Sequence, residues 1–210
     1  DEQIGLPFRR ADRRRHGGRH RDRDRAARAQ IQARRLAAAP FPTLLLKEKG
    51  LEPVFQMTCR DRNRIALQSD LLRAWVLGIE NVLALTGDVP SLGDHPQAKP
   101  VFDLDSVQLL WVISRLNAGY DMVGNELKGK TNFFPGAAVN PGADTEASFE
   151  MQIMKMEKKI NNGARFFQTQ AIYDVDRFAK FMKRVERFKV PVLAGVIPLK
   201  SAGMARFMNK

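Results

Sequence analysis

The stretch Asn81-Val82-Leu83-Ala84-Leu85-Thr86-Gly87-Asp88 is the starting point for interpreting this chain. Five mostly apolar residues followed abruptly by turn residues predict a buried strand. Asp88 stands just beyond that strand, where parallel α/β sheets and barrels bind their ligands. Because a lone Gly-Asp pair more often closes a turn or caps the next segment, the other strands have to decide between the two interpretations.

Strands and helices alternate along the chain on both sides of this stretch. Apolar runs predict further strands at 53–59, 134–140, 164–170 and 190–197, the second of them interrupted by Pro135 and Gly136. Three- and four-residue spacings predict helices at 62–77, 104–116, 145–162 and 174–188, and another that begins at residue 201. Crossovers of this length require parallel strands with right-handed connections. The fold is therefore a doubly wound sheet or a (β/α)₈ barrel, and no G-x-G-x-x-G motif supports the first.

Polar side chains stand at the carboxyl end of every predicted strand. They are Gln56, Thr58, Thr86, Asp88, Asn140, Thr169, Gln170 and Lys200. In a parallel barrel these ends would line one rim, which is where such barrels carry their active sites. One Asp among Thr, Gln and Asn side chains favours an uncharged heteroaromatic ligand. Neither paired carboxylates for glycoside chemistry, nor a metal-ligand cluster, nor a nucleophile with an obvious base is recognisable.

Composition narrows the class of protein further. The chain has 210 residues, and its single cysteine, Cys59, allows no intrachain disulfide, so we expect a reducing, cytoplasmic location. No apolar run is long enough to span a membrane, so no membrane partner is expected. The net charge is +12, and arginines concentrate it before residue 40. Such a stretch is typical of a solvated, disordered arm or of a nucleic-acid-binding arm, although no aromatic residue is interleaved for base stacking.

The strand ends and their surroundings resemble the methylenetetrahydrofolate reductase family. Six stretches carry the resemblance in the expected order: T-C-R-D-R-N-R (58–64), L-G-I-E-N-V-L-A-L-T-G-D (77–88), V-F-D-L-D-S (101–106), G-A-A-V-N-P (136–141), N-G-A-R-F-F-Q-T-Q-A-I-Y-D (162–174) and G-V-I-P-L-K-S-A-G-M-A-R-F-M-N (195–209). Each motif is weak alone, but together they cover about residues 44–210.

The resemblance implies a (β/α)₈ barrel with FAD at its carboxyl-terminal rim. Such an enzyme passes a hydride from NAD(P)H, or electrons from a redox partner protein, through the flavin to 5,10-methylenetetrahydrofolate, in one-carbon metabolism and methionine biosynthesis. By the same resemblance, Asp88 is catalytic and contacts flavin and pterin, and Gln170 binds the folate. The remaining FAD site would be lined by Gln56, Thr58, Leu85, Gly87, Phe102, Ala138, Asn140 and Lys159. A solvated helix face is the alternative interpretation of Lys159.

Residues 1–42 depart from the family. The family places a general-acid Glu at the end of its first strand, but none of the acids ahead of Glu48 ends an apolar strand. We interpret 1–42 as an arginine-rich disordered arm or an out-of-frame segment, and 43–210 as a partial flavin- and folate-binding barrel. The five strands would be the third to seventh of the family, so we expect a poorly stable or aggregating chain with impaired or no activity.

Three functions remain open from the sequence. The first is flavin-dependent reduction of methylenetetrahydrofolate. The second is a non-catalytic barrel-like subunit or pseudoenzyme, and the third, least favoured, is a nucleic-acid-binding protein that uses the basic arm. The electron donor and the state of assembly, whether homo-oligomer, hetero-oligomer or neither, are not specified by the sequence.

Overall fold

The computed structural model describes residues 48–142 and 145–208. The prediction for residues 1–42 lies outside the described residues. Within them, the five predicted strands are all present: β1 (Val54–Thr58), β2 (Asn81–Leu85), β3 (Phe134–Val139), β4 (Phe166–Ala171) and β5 (Val192–Gly195).

All five strands form one parallel sheet in the order β1-β2-β3-β4-β5. A doubly wound sheet reverses its strand order at the point where helices change sides, and this sheet has no such reversal. Consecutive parallel strands joined by helices are the repeating unit of a (β/α)₈ barrel. The prediction of an incomplete barrel is confirmed.

Side-chain caps determine where the connecting helices begin. The helices are α1 (Arg64–Val76), α2 (Ser106–Asn117), α3 (Glu146–Asn161), α4 (Val175–Val185) and α5 (Ala202–Met208). Asn63, Asp105, Thr145 and Asp174 each accept a hydrogen bond from a backbone N–H in the first turn of α1 to α4 respectively. Asp105 and Gln108 form a reciprocal capping box. Such caps satisfy N–H groups that have no partner within the helix.

The main core lies between one face of the sheet and the helices. Alternate strand residues such as Phe55, Met57, Val82 and Ala84 point into it and are almost fully buried. Helix residues fill the other side of this layer, among them Leu67, Leu71, Leu109, Leu110, Ile113, Phe149 and Phe181. The strand residues at the alternate positions therefore lie on the opposite face of the sheet.

Strand β3 is continuous, so the predicted interruption at Pro135 and Gly136 is wrong. Pro135 lacks a donor, but its carbonyl accepts the Arg165 N–H at 2.8 Å. Gly136 leaves space for the ring of Phe166 on β4, which lies directly over it. The ring of Phe166 also stacks on that of Phe134, with centroids 5.6 Å apart. Glycine therefore serves a close approach here, not a break.

The predicted helix at 174–188 ends early. Helix α4 stops at Val185, a 3₁₀ turn continues over Glu186–Phe188, and Lys189 follows with a left-handed φ of 51°. Within the described residues, no helix combines the length and apolar character needed to cross a membrane.

Candidate functional site

Strand register places five residues side by side on the sheet face opposite the helices. Thr58 pairs with Leu85, Ala138 with Gln168, and Gln168 with Leu193. The pairing of Ala84 with Ala137 brings Leu85 and Ala138 together. Neighbouring strands lie about 4.8 Å apart, so this row crosses the sheet near the carboxyl ends of its strands. Gln56 lies on the same face, two residues below Thr58.

Three carboxylates stand three residues beyond the end of a strand, and they differ in what binds them. Asp61, after β1, holds the Arg60 guanidinium at 2.8 and 3.0 Å. Asp174, after β4, caps α4 by accepting the Arg177 N–H at 2.9 Å. Asp88, after β2, is exposed and accepts no hydrogen bond from the part of the chain that the structure describes. Asp88 is therefore the carboxylate that remains available to a ligand.

Gly87 brings the chain at Asp88 close to Arg60. Its φ of 90° is left-handed, and a Cβ there would stand 2.9 Å from the Cβ of Arg60. Hydrogen bonds from Arg60 to Asp61 raise the pKa of Arg60, and the charge of Asp88 adds to this effect. The free carboxylate of Asp88 thus lies near the guanidinium of Arg60, which is already hydrogen-bonded to Asp61.

Gln170 is redirected by a β-bulge at the end of β4. Gln168 pairs with Leu193 and Ala171 with Gly195, so β4 has one extra residue between the two pairs. The Thr169 hydroxyl fixes this irregularity, because it accepts the Gly195 N–H at 2.8 Å and donates to the Gln170 carbonyl at 2.7 Å. Bulges of this kind often re-aim a side chain beside a functional site, and Gln170 is exposed here.

Lys159 is not on a solvated helix face. It starts from α3, is half-buried, and donates to the carbonyl oxygen of Ala138 at 2.7 Å. Burial lowers its pKa, the charge of Lys155 lowers it further, and Asp105 opposes both. No carboxylate lies within ion-pair distance of Lys159 among the described residues. An ammonium has three protons to donate, so an anionic ligand could still be bound.

Asn140 and Phe102, the remaining predicted contacts, lie in the segments that follow strands. The Asn140 side chain accepts the Gly142 N–H at 2.9 Å and so closes a turn after β3. Phe102 has a left-handed φ of 42°, which is unusual for a bulky residue. All ten predicted residues therefore lie on this face, at this rim or, in the case of Lys159, reach towards it. Their roles stay predictions.

Sequence reasoning missed Gln168 and Arg60. Gln168 pairs directly with Ala138, and the alternation in Phe166-Phe167-Gln168-Thr169 was a usable signal. Arg60 lies near Asp88 because the segments after β1 and β2 meet at Gly87, and no pattern local to either segment indicates this proximity.

These groups suit an organic ligand with a flat ring and an anionic group better than a metal or a covalent intermediate. Leu85 and Ala138 offer apolar contact, Thr58 and Gln168 offer donors and acceptors, and Lys159 offers a cation. Across residues 48–142 and 145–208, no group of three or more His, Cys, Asp or Glu is placed to hold a metal ion. Burial, reinforced by Asp105, raises the pKa of Cys59 to about 12, so its thiol is a poor nucleophile.

We expect Lys159→Met to stabilise the ligand-free chain by about 1 kcal/mol and to weaken the binding of an anionic ligand such as FAD about tenfold. Methionine keeps most of the packing of the stem and removes an ammonium that is desolvated without a carboxylate partner. Urea unfolding and FAD titration would measure the two effects. Lys99→Met, at an exposed position in the loop before α2, is the control and should change neither value. A loss of stability in the Lys159 variant would contradict this account.

Comparison with known proteins gives one consistent result. The family model described as methylenetetrahydrofolate reductase matches residues 32–210. A methylenetetrahydrofolate reductase (NADH) 1 from Arabidopsis thaliana is 28% identical over 153 residues, which are 71% of this chain and 25% of the relative. The 5,10-methylenetetrahydrofolate reductase of Pectobacterium carotovorum subsp. carotovorum is 28% identical over 158 residues, 73% of this chain and 46% of the relative. A probable methylenetetrahydrofolate reductase (NADPH) of Caenorhabditis elegans is 24% identical over 153 residues, 71% of this chain and 21% of the relative.

The matches cover less than half the length of each of these three relatives. The matched family segment begins at residue 32, twelve residues before residue 44, the predicted start of the resemblance.

Proposed function

Because the chain belongs to the methylenetetrahydrofolate reductase family, we propose that it forms the FAD- and folate-binding rim of an enzyme that reduces 5,10-methylenetetrahydrofolate to 5-methyltetrahydrofolate. The observation that carries this proposal is the free carboxylate of Asp88, which lies three residues beyond β2. Leu85 at the end of β2 belongs to the row on the sheet face, together with Thr58, Ala138 and Gln168. The electron donor we propose is a pyridine nucleotide, since the names of the relatives specify NADH in one case and NADPH in another.

The row on the sheet face is suited to bind a flat heteroaromatic ring. Leu85 and Ala138 give it apolar contact, and the Gln168 amide can satisfy ring carbonyls and N–H groups. The Thr58 hydroxyl donates to Asp61 at 3.5 Å, so it would accept a hydrogen bond from a ring N–H. Lys159 would bind the pyrophosphate, because its ammonium is desolvated and its one described acceptor is a carbonyl oxygen. When bound, FAD supplies hydride transfer.

Asp88 would orient the folate. A carboxylate accepts hydrogen bonds only, so it suits the adjacent N–H donors of a pterin. Its negative charge would also oppose the build-up of negative charge on a reduced ring beside it. Gln170 lies within the bulge at the end of β4 and would hold the same substrate through its amide. The two side chains together would fix which face of the folate meets the ring.

FAD binding by the 210-residue chain tests the proposal. We expect flavin fluorescence to be quenched on titration, and the absorbance of the bound flavin to bleach when NADH or NADPH is added anaerobically. Methylenetetrahydrofolate should then restore the oxidised spectrum, with 5-methyltetrahydrofolate as the product. A chain that binds neither FAD nor folate would refute the proposal.

A further inference from the structure

Phe102 has a backbone conformation that is intrinsically unfavourable for phenylalanine. A left-handed φ brings the Cβ of an L-residue against its own backbone and costs about 1–2 kcal/mol. Phe102 has a φ of 42° and is half-buried. It precedes α2 and lies on the rim side of the sheet, where the connections leave the carboxyl ends of the strands. Strain of this kind persists only when the surrounding contacts impose it.

The two neighbours of Phe102 are each fixed to the loop that follows β1. The Val101 N–H donates to the Arg60 carbonyl at 2.8 Å. Asp103 accepts the backbone N–H of Arg64 at 2.7 Å and also its guanidinium, whose Nη2 lies 2.7 Å from Oδ1 and whose Nε lies 2.9 Å from Oδ2. Phe102 is therefore the one residue between two fixed points.

The Asp103–Arg64 pair has the geometry of a clamp. Exposed ion pairs contribute little to stability, and the Arg64 side chain is 54% exposed. A bidentate guanidinium contact supplemented by a backbone N–H does, however, fix the orientation of Asp103 relative to Arg64. The side-chain and backbone hydrogen bonds from Arg64 lower the pKa of Asp103 to about 2, so the carboxylate stays charged at any working pH.

We infer that Asp103 and Arg64 are positioning residues that hold Phe102 in its left-handed conformation and so preorganise an aromatic contact for the flavin. The flavin half of this inference rests on the proposed function. Without the clamp, Phe102 would relax to a negative φ, and the 1–2 kcal/mol would have to be returned on binding. A deficit of that size raises the Kd for FAD about 5- to 30-fold.

The backbone half of the inference can be tested without FAD. In the unaltered background, we expect Phe102→Gly to have an unfolding equilibrium constant about fivefold lower than Phe102→Ala, because glycine tolerates a positive φ. With Asp103→Ala also present, the two should become equal, or alanine should become the more stable. Urea unfolding of the four chains measures the ratio. A ratio that is the same in both backgrounds overturns the clamp.

The flavin half is tested by FAD titration and visible circular dichroism of the bound flavin. Asp103→Ala should weaken FAD binding and alter the dichroism, and Arg64→Lys, which keeps the charge and backbone N–H, should do so less strongly. In a Phe102→Ala background, Asp103→Ala should add no further loss, because both act through one side chain. Lys180→Gln breaks a more exposed ion pair, between Lys180 on α4 and Glu146 on α3, and should change nothing.

The two failures are distinguishable. Additive losses, or an Asp103→Ala chain with unchanged affinity and dichroism, overturn the positioning role while the proposed function stands. An unaltered chain that does not bind FAD overturns the flavin role of Phe102 together with the proposed function, and the glycine-to-alanine ratio then decides the clamp alone.

Discussion

Replacing Gly136 by valine is expected to lower the free energy of unfolding by about 3 kcal/mol. A Cβ at Gly136 would lie 2.2 Å from Cζ of Phe166 and 2.4 Å from two further ring atoms. Phe166 cannot move aside easily, because it is fully buried and stacked on Phe134. Valine adds two more methyl groups to the same contact, so the strands would have to separate or the ring would have to leave its place. Urea unfolding followed by far-ultraviolet circular dichroism measures the change.

Gly129→Ala is the matched control for this prediction. Nothing lies within 4 Å of a Cβ at Gly129, so that variant should unfold within about 0.5 kcal/mol of the unaltered chain. The smaller change Gly136→Ala should be partly rescued by Phe166→Leu, which removes the ring that clashes. Equal stability of the Gly136→Val and Gly129→Ala chains would show that the sheet does not hold Phe166 over Gly136.

The same contact shows what the sequence could not supply for the fold. Pro135 and Gly136 have low strand propensity, so local reasoning treated them as an interruption of β3. The reason for the glycine lies 30 residues along the chain, in a ring on the next strand. Helix starts were easier, because a cap such as Thr145 acts on the N–H of Ser148 three residues away. Patterns that act over one turn are legible in a sequence, whereas contacts between strands are not.

The same distinction between local patterns and contacts across the chain applies to the candidate site. The family resemblance was needed to group Thr58, Leu85 and Ala138 in one site, and the strand register shows that these residues share a face. The sequence could not show that Asp61 and Asp174 are occupied while Asp88 is free, since each assignment depends on the partner. Nor could it show the bulge before Gln170, which arises from a hydrogen bond between Thr169 and Gly195 on different strands.

Asp88→Asn is expected to slow reoxidation of the reduced flavin by methylenetetrahydrofolate about 10- to 100-fold. An amide of the same size presents a neutral oxygen and a donor where the carboxylate accepts N–H groups, and a charge-assisted hydrogen bond contributes about 1.5–3 kcal/mol. Loss of the negative charge would also make electrons on the flavin more stable and the reduced flavin a weaker reductant. Reduction by NADH or NADPH should therefore be unchanged or faster. Anaerobic stopped-flow absorbance measures the two half-reactions separately.

Asp94→Asn is the matched control for Asp88→Asn, because Asp94 is an exposed carboxylate in the loop that follows Asp88. It should leave both half-reactions unchanged. Which of the two half-reactions slows matters more than the size of the effect. A folding defect or a loss of FAD would slow both half-reactions together, whereas a carboxylate that acts on folate and on the charge of the flavin slows only the oxidative one. Equal slowing of both at full FAD occupancy would therefore remove Asp88 from the folate site, and the row from Thr58 to Gln168 would then bind the flavin without it.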